Sequence, residues 1–134
     1  MALTPEQQAM LIGSALNVRN WAYAPYSHYA VGAALLTSSG KVYEGVNVEN
    51  AAYSATVCAE RVAIFKAVSE GEREFIGIAI ATENGGASCG SCRQVMAEFG
   101  LNTQVIFVDG QGRITLETTV EKLLPSAFTP QDLI

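Results

Sequence analysis

Apolar positions recur along this chain with two different periods, one typical of helices and the other typical of strands. Near the N-terminus a helical period connects four residues: Leu11, Ala15, Val18 and Ala22. They follow the residues of an N-cap, a first-turn proline and a capping-box partner, which are Thr4, Pro5 and Gln7. This pattern predicts a first helix over residues 5–22.

The rest of the chain divides into strand-like and helix-like segments. Continuous or alternating apolar runs predict strands over residues 29–36, 42–48, 75–81, 104–108 and 113–117. Runs of good helix formers predict further helices over residues 57–68, 89–99 and 120–124. Because helices and strands interleave, we expect an α/β protein, a three-layer α/β/α fold around a central mixed five-stranded sheet.

Length and composition limit the function. With 134 residues the chain has the usual size of one domain, so we expect residues 1–134 to form a single domain. A net charge of −5 excludes the broad basic field that binding of nucleic acid requires. Charged residues make up 16% of the chain, against about 25% in an average soluble domain, so we expect part of the surface to be covered. No apolar run approaches the roughly 20 residues that a membrane span requires, and the N-terminus lacks the basic residues with which a signal peptide begins. We therefore expect a cytoplasmic protein without a membrane partner.

The spacing of the three cysteines suits a metal ion better than a disulfide framework, which would leave one of them unpaired. Cys58 falls in the first turn of the second predicted helix, and Cys89 and Cys92 open the third. The free N–H groups at a helix N-terminus favour thiolate over thiol, so two such termini aimed at one point would place three thiolates around one cation. Three protein ligands is the number expected of a catalytic zinc, which keeps its fourth position open.

Three other interpretations of the cysteines stay open at this point. Cys89 and Cys92 have the spacing of a redox-active Cys-x-x-Cys pair. The single histidine, His28, could complete a structural zinc site with four ligands. Cys58 could also simply fill space in the core.

The charged residues beside Cys58 favour a catalytic site. Glu60 and Arg61 are the only charged side chains in the first half of an otherwise apolar helix, and a carboxylate is costly there unless it has a partner or a task. A carboxylate above the helix end would suit proton transfer next to a metal. Arg61 would offset the net negative charge that three thiolates and one Zn²⁺ carry together. The alternative for Glu60 is an ion pair with Arg61 or Lys66.

Two short motifs contain these residues: Cys58-Ala59-Glu60-Arg61 and Cys89-Gly90-Ser91-Cys92-Arg93-Gln94-Val95. Together they resemble the active site of the cytidine deaminases, specifically the small homotetrameric class that uses three cysteines for zinc. Four further segments match that family, at residues 24–27, 31–34, 47–51 and 123–128. The resemblance therefore covers nearly the whole chain.

The resemblance implies a role for each matching residue. It implies one Zn²⁺ per subunit, bound by Cys58, Cys89 and Cys92, and proton transfer by Glu60. It implies a nucleoside site formed by Tyr29 against the pyrimidine ring, Asn47 and Glu49 at the ribose hydroxyl, Ala59, and the subunit-boundary aromatics Tyr53 and Phe128. It also implies that the charge of the sulfur ligands is tuned by Arg61, Arg93 and Gln94.

Some positions depart from the family pattern. Tyr29 stands where the family commonly has phenylalanine, so its added hydroxyl needs a protein partner or water. Ser88 stands where proline often precedes the first cysteine of the pair, and its hydroxyl could cap the third helix. Ser126 replaces a glycine of the tail, which would strain the backbone if this position has a positive φ.

The activity implied by the resemblance is hydrolytic deamination of cytidine and 2′-deoxycytidine to uridine and 2′-deoxyuridine, with release of ammonia, in pyrimidine salvage. The implied assembly is a homotetramer whose active sites are shared between subunits. Deamination of a modified nucleoside such as blasticidin S is one alternative, although Asn47 and Glu49 favour an ordinary ribose. Polynucleotide editing is disfavoured by the acidic composition. A zinc-binding or redox module without enzymatic activity is the alternative from another class.

Overall fold

The computed structural model describes residues 2–133, and its first element is the predicted N-terminal helix. This helix, α1, spans Pro5–Val18 and begins with the predicted capping box, in which Thr4 and Gln7 each accept the other's backbone N–H. A 3₁₀ turn over Arg19–Trp21 follows. The α-helix therefore ends before the predicted boundary at residue 22, because its last turn tightens.

Five strands form one mixed sheet, as predicted. They are β1 (Gly32–Thr37), β2 (Val42–Val46), β3 (Phe75–Ala81), β4 (Gln104–Val108) and β5 (Ile114–Thr119). Their order across the sheet is β2-β1-β3-β4-β5, with β3 and β4 parallel and the other neighbours antiparallel. Because parallel strands need a crossover connection, β3 and β4 are joined through a helix.

Within residues 2–133, three more α-helices follow: α2 (Ala59–Ser69), α3 (Gly90–Glu98) and α4 (Val120–Leu123). One face of the sheet packs against α1 through a core that includes Leu11, Ala15, Leu36 and Ile106. The other face packs against the remaining helices through a core that includes Leu35, Ile64, Met96 and Phe107. Both faces are covered, which confirms the predicted three layers and explains the continuous apolar runs of the central strands. Over residues 2–133, none of the helices is both long and apolar enough to span a membrane.

Strand β1 starts at Gly32 and not at the predicted residue 29. The side chain of Asn47 accounts for the difference: its Oδ1 accepts the Val31 N–H at 2.9 Å, and its Nδ2 donates to the Tyr29 carbonyl at 2.9 Å. These bonds take the place of strand partners, so residues 29–31 form a loop. This loop borders the site described below.

Helix α2 approaches strand β2 very closely at Gly45. A Cβ atom at Gly45 would lie 2.5 Å from the Ala59 carbonyl oxygen and 2.5 Å from the Ala63 nitrogen. Only glycine leaves room for this contact, since it has no side chain. The contact therefore fixes the position of the N-terminal end of α2 above the sheet.

The tail contains a strained position at Ser126, whose φ is 55°. The sequence predicts backbone strain at Ser126 if its φ is positive. This prediction is confirmed, because serine stands here in the left-handed region that favours glycine.

Candidate metal centre and active site

The three cysteines come together at the N-terminal ends of two helices. Cys58 is the N-cap of α2 and Cys89 is the N-cap of α3, while Cys92 is buried in the first turn of α3. Their Sγ atoms all lie within 4.8 Å of one another, and those of Cys89 and Cys92 are 3.3 Å apart. The predicted convergence is present, with Cys58 at the cap of its helix and not in the first turn.

Neighbouring donors stabilise one thiolate within this cluster. A hydrogen bond from the Cys92 thiol, together with one from Arg61 Nη2 at 3.5 Å, lowers the pKa of Cys58 to about 5. The same bond to Cys58 and the burial of Cys92 raise the pKa of Cys92. The sulfur atoms are too close for all three to carry a negative charge without a cation among them.

This donor set fits a single zinc ion. Zinc binds thiolate sulfur, and catalytic zinc usually has three protein ligands. The two helix N-termini and Arg61 would balance the negative charge that remains on the ligands. Within residues 2–133, the group of side chains that could bind a metal consists of the three cysteines and includes no histidine. His28 is exposed and lies outside it, so the alternative of a four-ligand site with His28 is wrong.

Glu60 is buried beside the cluster in the first turn of α2, with 4% of its surface exposed. Ser88 Oγ donates to Glu60 Oε2 at 2.6 Å. Burial raises the pKa of the Glu60 carboxyl above its usual value, and the hydrogen bond from Ser88 opposes part of this shift. Within residues 2–133, neither Arg61 nor Lys66 forms an ion pair with Glu60, so that alternative is wrong. A buried carboxyl with a raised pKa is suited to accepting and returning a proton.

A cavity of about 280 Å³ opens beside the cysteines and Glu60. The predicted site residues that line it are Tyr29, Asn47, Glu49, Cys58, Ala59, Glu60 and Cys89. It lies at the carboxyl end of β3, where ligands collect in α/β sheets. The structure therefore brings the predicted metal ligands and most of the predicted nucleoside contacts to one place.

Asn47 and Glu49 already bind loops of the protein itself. The Asn47 amide holds residues 29–31, as described above. The Glu49 carboxylate accepts the backbone N–H groups of Tyr26 at 3.0 Å and Ser27 at 3.1 Å, and also the Ser27 hydroxyl. These bonds, above all the one from the Ser27 hydroxyl, lower the pKa of Glu49. Both residues thus shape the cavity wall, and their contact with a ribose stays a prediction.

The Tyr29 hydroxyl has the partner that the sequence called for. It donates to Asn84 Oδ1 at 2.7 Å, and this oxygen also accepts the Gly86 N–H at 3.1 Å. A Cβ atom at Gly86 would lie 2.7 Å from the Tyr29 hydroxyl oxygen, so glycine makes this approach possible. Tyr29 therefore connects the loop before β1 to the loop between β3 and α3 at the edge of the cavity.

The aromatic residues predicted at a subunit boundary are both on the surface. Tyr53 is 79% exposed, and its ring packs edge-on against Tyr26 with the ring centroids 6.4 Å apart. Phe128 is 56% exposed, and its carbonyl accepts a hydrogen bond from Gln94 Nε2 at 2.8 Å. Their exposed rings are available for contact with another subunit, which stays a prediction.

The arginines near the cluster contact different groups. Arg61 donates to the Cys58 sulfur, as described above. Arg93 donates to the carbonyls of Ser88 at 3.0 Å and Leu123 at 2.8 Å. Arg93, like Gln94, is thus seen to hold the backbone, and any effect of these two residues on the sulfur charge stays a prediction.

Part of the cavity wall is formed by residues that were not among the predicted site residues. The additional lining residues are Ser27, Val31, Thr56, Val57, Ile80, Thr82, Gly86, Ala87 and Ser88. The expected role of Ser88 as a helix cap is wrong, because Cys89 is the N-cap of α3 and the Ser88 hydroxyl binds Glu60. The position of Ser88 in the sequence was the available signal for its place at the site, since residues 83–88 form the loop that leads from a buried strand to the cysteine pair.

Comparison with known proteins identifies the family. Residues 5–108 match the family model for the cytidine and deoxycytidylate deaminase zinc-binding region. The cytidine deaminase of Halalkalibacterium halodurans is 50% identical over 127 residues, which cover 92% of this chain and 96% of that protein. The cytidine deaminase of Sporosarcina psychrophila is 48% identical over 125 residues, which cover 92% of each chain.

The fold agrees with these sequence matches. The crystal structure of cytidine deaminase from Burkholderia pseudomallei has a TM-score of 0.85 and 45% sequence identity, covering 94% of this chain and 100% of that one. The matched zinc-binding region contains all three clustered cysteines. The chain therefore belongs to the cytidine and deoxycytidylate deaminase family.

Proposed function

We propose that this protein is a zinc-dependent cytidine deaminase, with residues 1–134 as one domain. It converts cytidine and 2′-deoxycytidine to uridine and 2′-deoxyuridine and releases ammonia, in pyrimidine salvage. The observation that carries the proposal is the meeting of a three-thiol cluster and a buried carboxylate at one cavity. Relatives that are 48–50% identical over most of the chain are cytidine deaminases, which supports it.

Cys58, Cys89 and Cys92 would hold one zinc ion per subunit. When bound, zinc supplies Lewis acidity, which allows water to lose a proton near neutral pH. The chain contributes sulfur ligands at two helix N-termini, where the backbone N–H groups favour the thiolate form. Arg61 keeps a positive charge against the Cys58 sulfur, which limits the negative charge of the site.

Glu60 would move the protons of the reaction. Its carboxylate takes a proton from water and delivers it to N3 of the cytosine ring while the water oxygen adds to C4. It then passes the second proton to the amino group, the bond between C4 and that nitrogen breaks, and ammonia leaves. The overall reaction consumes one water, converts the amino group at C4 to a carbonyl and releases ammonia, and Glu60 returns to its ionised form.

The cavity wall would bind the nucleoside through four of the lining residues. The ring of Tyr29 stacks on the pyrimidine, and Asn47 and Glu49 contact the ribose hydroxyl. Ala59, next to Glu60 in α2, contacts the base. All four side chains border the same cavity as the Cys58 and Cys89 thiols, which supports their assignment.

The variant Glu60→Gln tests this mechanism, because it keeps the shape of the side chain and removes its ability to accept a proton. We expect the variant to retain one zinc per chain while kcat for cytidine falls by at least about a hundredfold. Turnover is measured from the loss of cytidine absorbance and from ammonia release. Glu98→Gln changes an exposed glutamate and is the matched control. Unchanged turnover in Glu60→Gln would remove this carboxylate from the mechanism.

We also infer a homotetramer in which neighbouring subunits share active sites. Several large aromatic side chains are exposed, which is typical of surfaces that bind a partner: Trp21, Tyr23, Tyr26, Tyr53, Phe65 and Phe128. Tyr26 and Tyr53 line a shallow depression that shares Ser27, Glu49 and Thr56 with the main cavity. A partner seated on these aromatic rings would therefore lie next to the substrate.

Light scattering of the purified protein tests the assembly, and a monomer would contradict it. Sharing of sites is tested by mixing Glu60→Gln subunits with Phe128→Ala subunits after dissociation. If Phe128 serves a neighbouring site, some sites of the mixed oligomer combine an intact Glu60 with an intact Phe128, and activity rises above that of either variant. A mixture no more active than its components would contradict sharing through Phe128.

We place the protein in the cytoplasm. All three cysteines are free in the structure, which suits a reducing compartment. Cell fractionation with a cytidine deamination assay tests this, and activity confined to an extracytoplasmic fraction would contradict it.

A further inference from the structure

Ser88 makes the side-chain hydrogen bond that holds Glu60. Its hydroxyl lies 2.6 Å from Glu60 Oε2, and both residues are buried, with 9% of Ser88 and 4% of Glu60 exposed. Over residues 2–133, Glu60 forms no ion pair that could orient it instead. A buried carboxylate depends on such a partner because it has lost its contacts with water.

This bond restricts the rotation of the carboxylate. The last torsion of a glutamate has broad energy minima, so the two oxygens of a free carboxylate exchange positions easily. A donor bound to Oε2 fixes the plane of the group and leaves Oε1 to accept the proton of another molecule. Proton transfer requires the donor and acceptor atoms to approach to about 2.6–3.2 Å, so this orientation affects the rate directly.

Ser88 can act as a fixed donor because its own backbone is held. Arg93 Nε donates to the Ser88 carbonyl at 3.0 Å, and Arg93 Nη1 donates to the Leu123 carbonyl at 2.8 Å. Ser88 also directly precedes Cys89, the N-cap of α3. The hydroxyl thus connects the framework of α3 to a carboxylate carried by α2.

We propose that Ser88 is the positioning residue of Glu60: its hydroxyl holds Oε2 so that the other oxygen exchanges protons with the substrate. The proposal rests on the proposed deaminase function, in which Glu60 carries the protons. Ser88 acts only through Glu60 in this role, so its loss should slow the chemical step and leave substrate binding intact.

Kinetics of Ser88→Ala on the zinc-loaded full chain test the proposal. We expect kcat for cytidine to fall about tenfold, because a misplaced carboxylate transfers protons more slowly, while KM stays within about twofold of wild type. Zinc content and Tm are measured on the same samples, and zinc should stay at one ion per chain. Thr103→Val, which removes a buried hydroxyl bound to the Phe75 carbonyl, is the control for loss of a buried hydrogen bond. It should lower Tm without lowering kcat.

A second pair of variants separates the hydroxyl from the shape of the side chain. Ser88→Thr and Ser88→Val have the same shape, and only the threonine keeps a hydroxyl. We expect kcat of the threonine variant to exceed that of the valine variant by about tenfold. This comparison stands even if Ser88→Ala fails to fold.

Either of two kinetic results would overturn the role of Ser88: kcat of Ser88→Ala within about twofold of wild type, or equal kcat for the threonine and valine variants. A loss of kcat that follows a matching loss of zinc would also overturn it. These results are distinct from failure of the proposed function, in which the wild-type protein itself would release no ammonia from cytidine.

Discussion

Arg61 Nη2 donates a hydrogen bond to the Sγ atom of Cys58 at 3.5 Å, from the first turn of the helix that Cys58 caps. A guanidinium keeps its charge at every accessible pH, so it is a permanent counter-charge for this sulfur. The geometry thus couples a cationic side chain to one of the three proposed zinc ligands.

The first prediction concerns this counter-charge. Arg61→Gln removes the positive charge and should weaken zinc binding by about 10- to 100-fold, the usual effect of losing a residue that hydrogen-bonds to a metal ligand. The measurement is a competition between the protein and a chromogenic zinc chelator. Arg73→Gln, which changes an exposed arginine bound to the Val68 and Glu72 carbonyls, is the control and should bind zinc like wild type. Equal zinc affinity in the two variants would show that the Arg61 contact has no effect on the metal.

A second prediction concerns the bond between Tyr29 and Asn84. Tyr29→Phe keeps the ring and loses the hydroxyl, while Asn84→Ala removes the acceptor. Each change should raise KM for cytidine about fivefold, which corresponds to the roughly 1 kcal/mol of one hydrogen bond. Asn84→Ala also loses the bond from the Gly86 N–H. The double variant should therefore be no worse than Asn84→Ala alone, because both lack the bond to Tyr29. Additive effects would mean that the two residues act independently.

The close contact at Gly45 gives a prediction for stability. Gly45→Ala should lower the free energy of unfolding by about 1–3 kcal/mol, because the new methyl group pushes α2 away from β2. Gly13→Ala is the matched control: it lies in α1 with no atom within 4 Å of an added Cβ, so it should stabilise the protein by up to about 1 kcal/mol. Thermal or denaturant unfolding measures both. A Gly45→Ala protein as stable as wild type would show that α2 can move freely at this point.

Glu49 gives a prediction for pH. Its pKa lies below the ordinary value of 4.5, mainly because the Ser27 hydroxyl and backbone bind the ionised form, with a smaller contribution from the charge of His28. The sign follows from this depressed pKa: the stabilisation is complete above pH 4.5 and is lost as the pH falls through the lower, folded-state value. Glu49→Gln should therefore have a lower Tm than wild type at pH 7, and the difference should shrink below pH 4.5. A difference that is constant with pH would contradict this.

Much of the fold could be predicted from the sequence because burial on both faces leaves a clear pattern. The boundaries of β3 and β4 are those predicted, since each is a short apolar run between polar turns. The start of β1 was missed because the Asn47 side chain replaces strand partners for residues 29–31. Such a contact joins distant parts of the chain and produces no local periodicity.

The candidate site, too, could be predicted from the sequence only in part. The cysteines could be predicted to meet, because each stands at the beginning of a helix and both helices enter from the same end of the sheet. The hydrogen-bond partner of Ser88 could not be predicted, since Glu60 is 28 positions away and a hydroxyl before a helix is more often a cap. Long-range hydrogen bonds of small polar residues are set by the packed structure, so they become visible only in three dimensions.

The central claim is that Cys58, Cys89 and Cys92 hold one zinc ion on which turnover depends. Its most direct test is to remove metal from the purified full chain, add zinc back in steps, and measure bound zinc by elemental analysis alongside the rate of cytidine deamination. Activity should rise in proportion to bound zinc and saturate at about one ion per chain. Full activity in protein that contains no metal would contradict it.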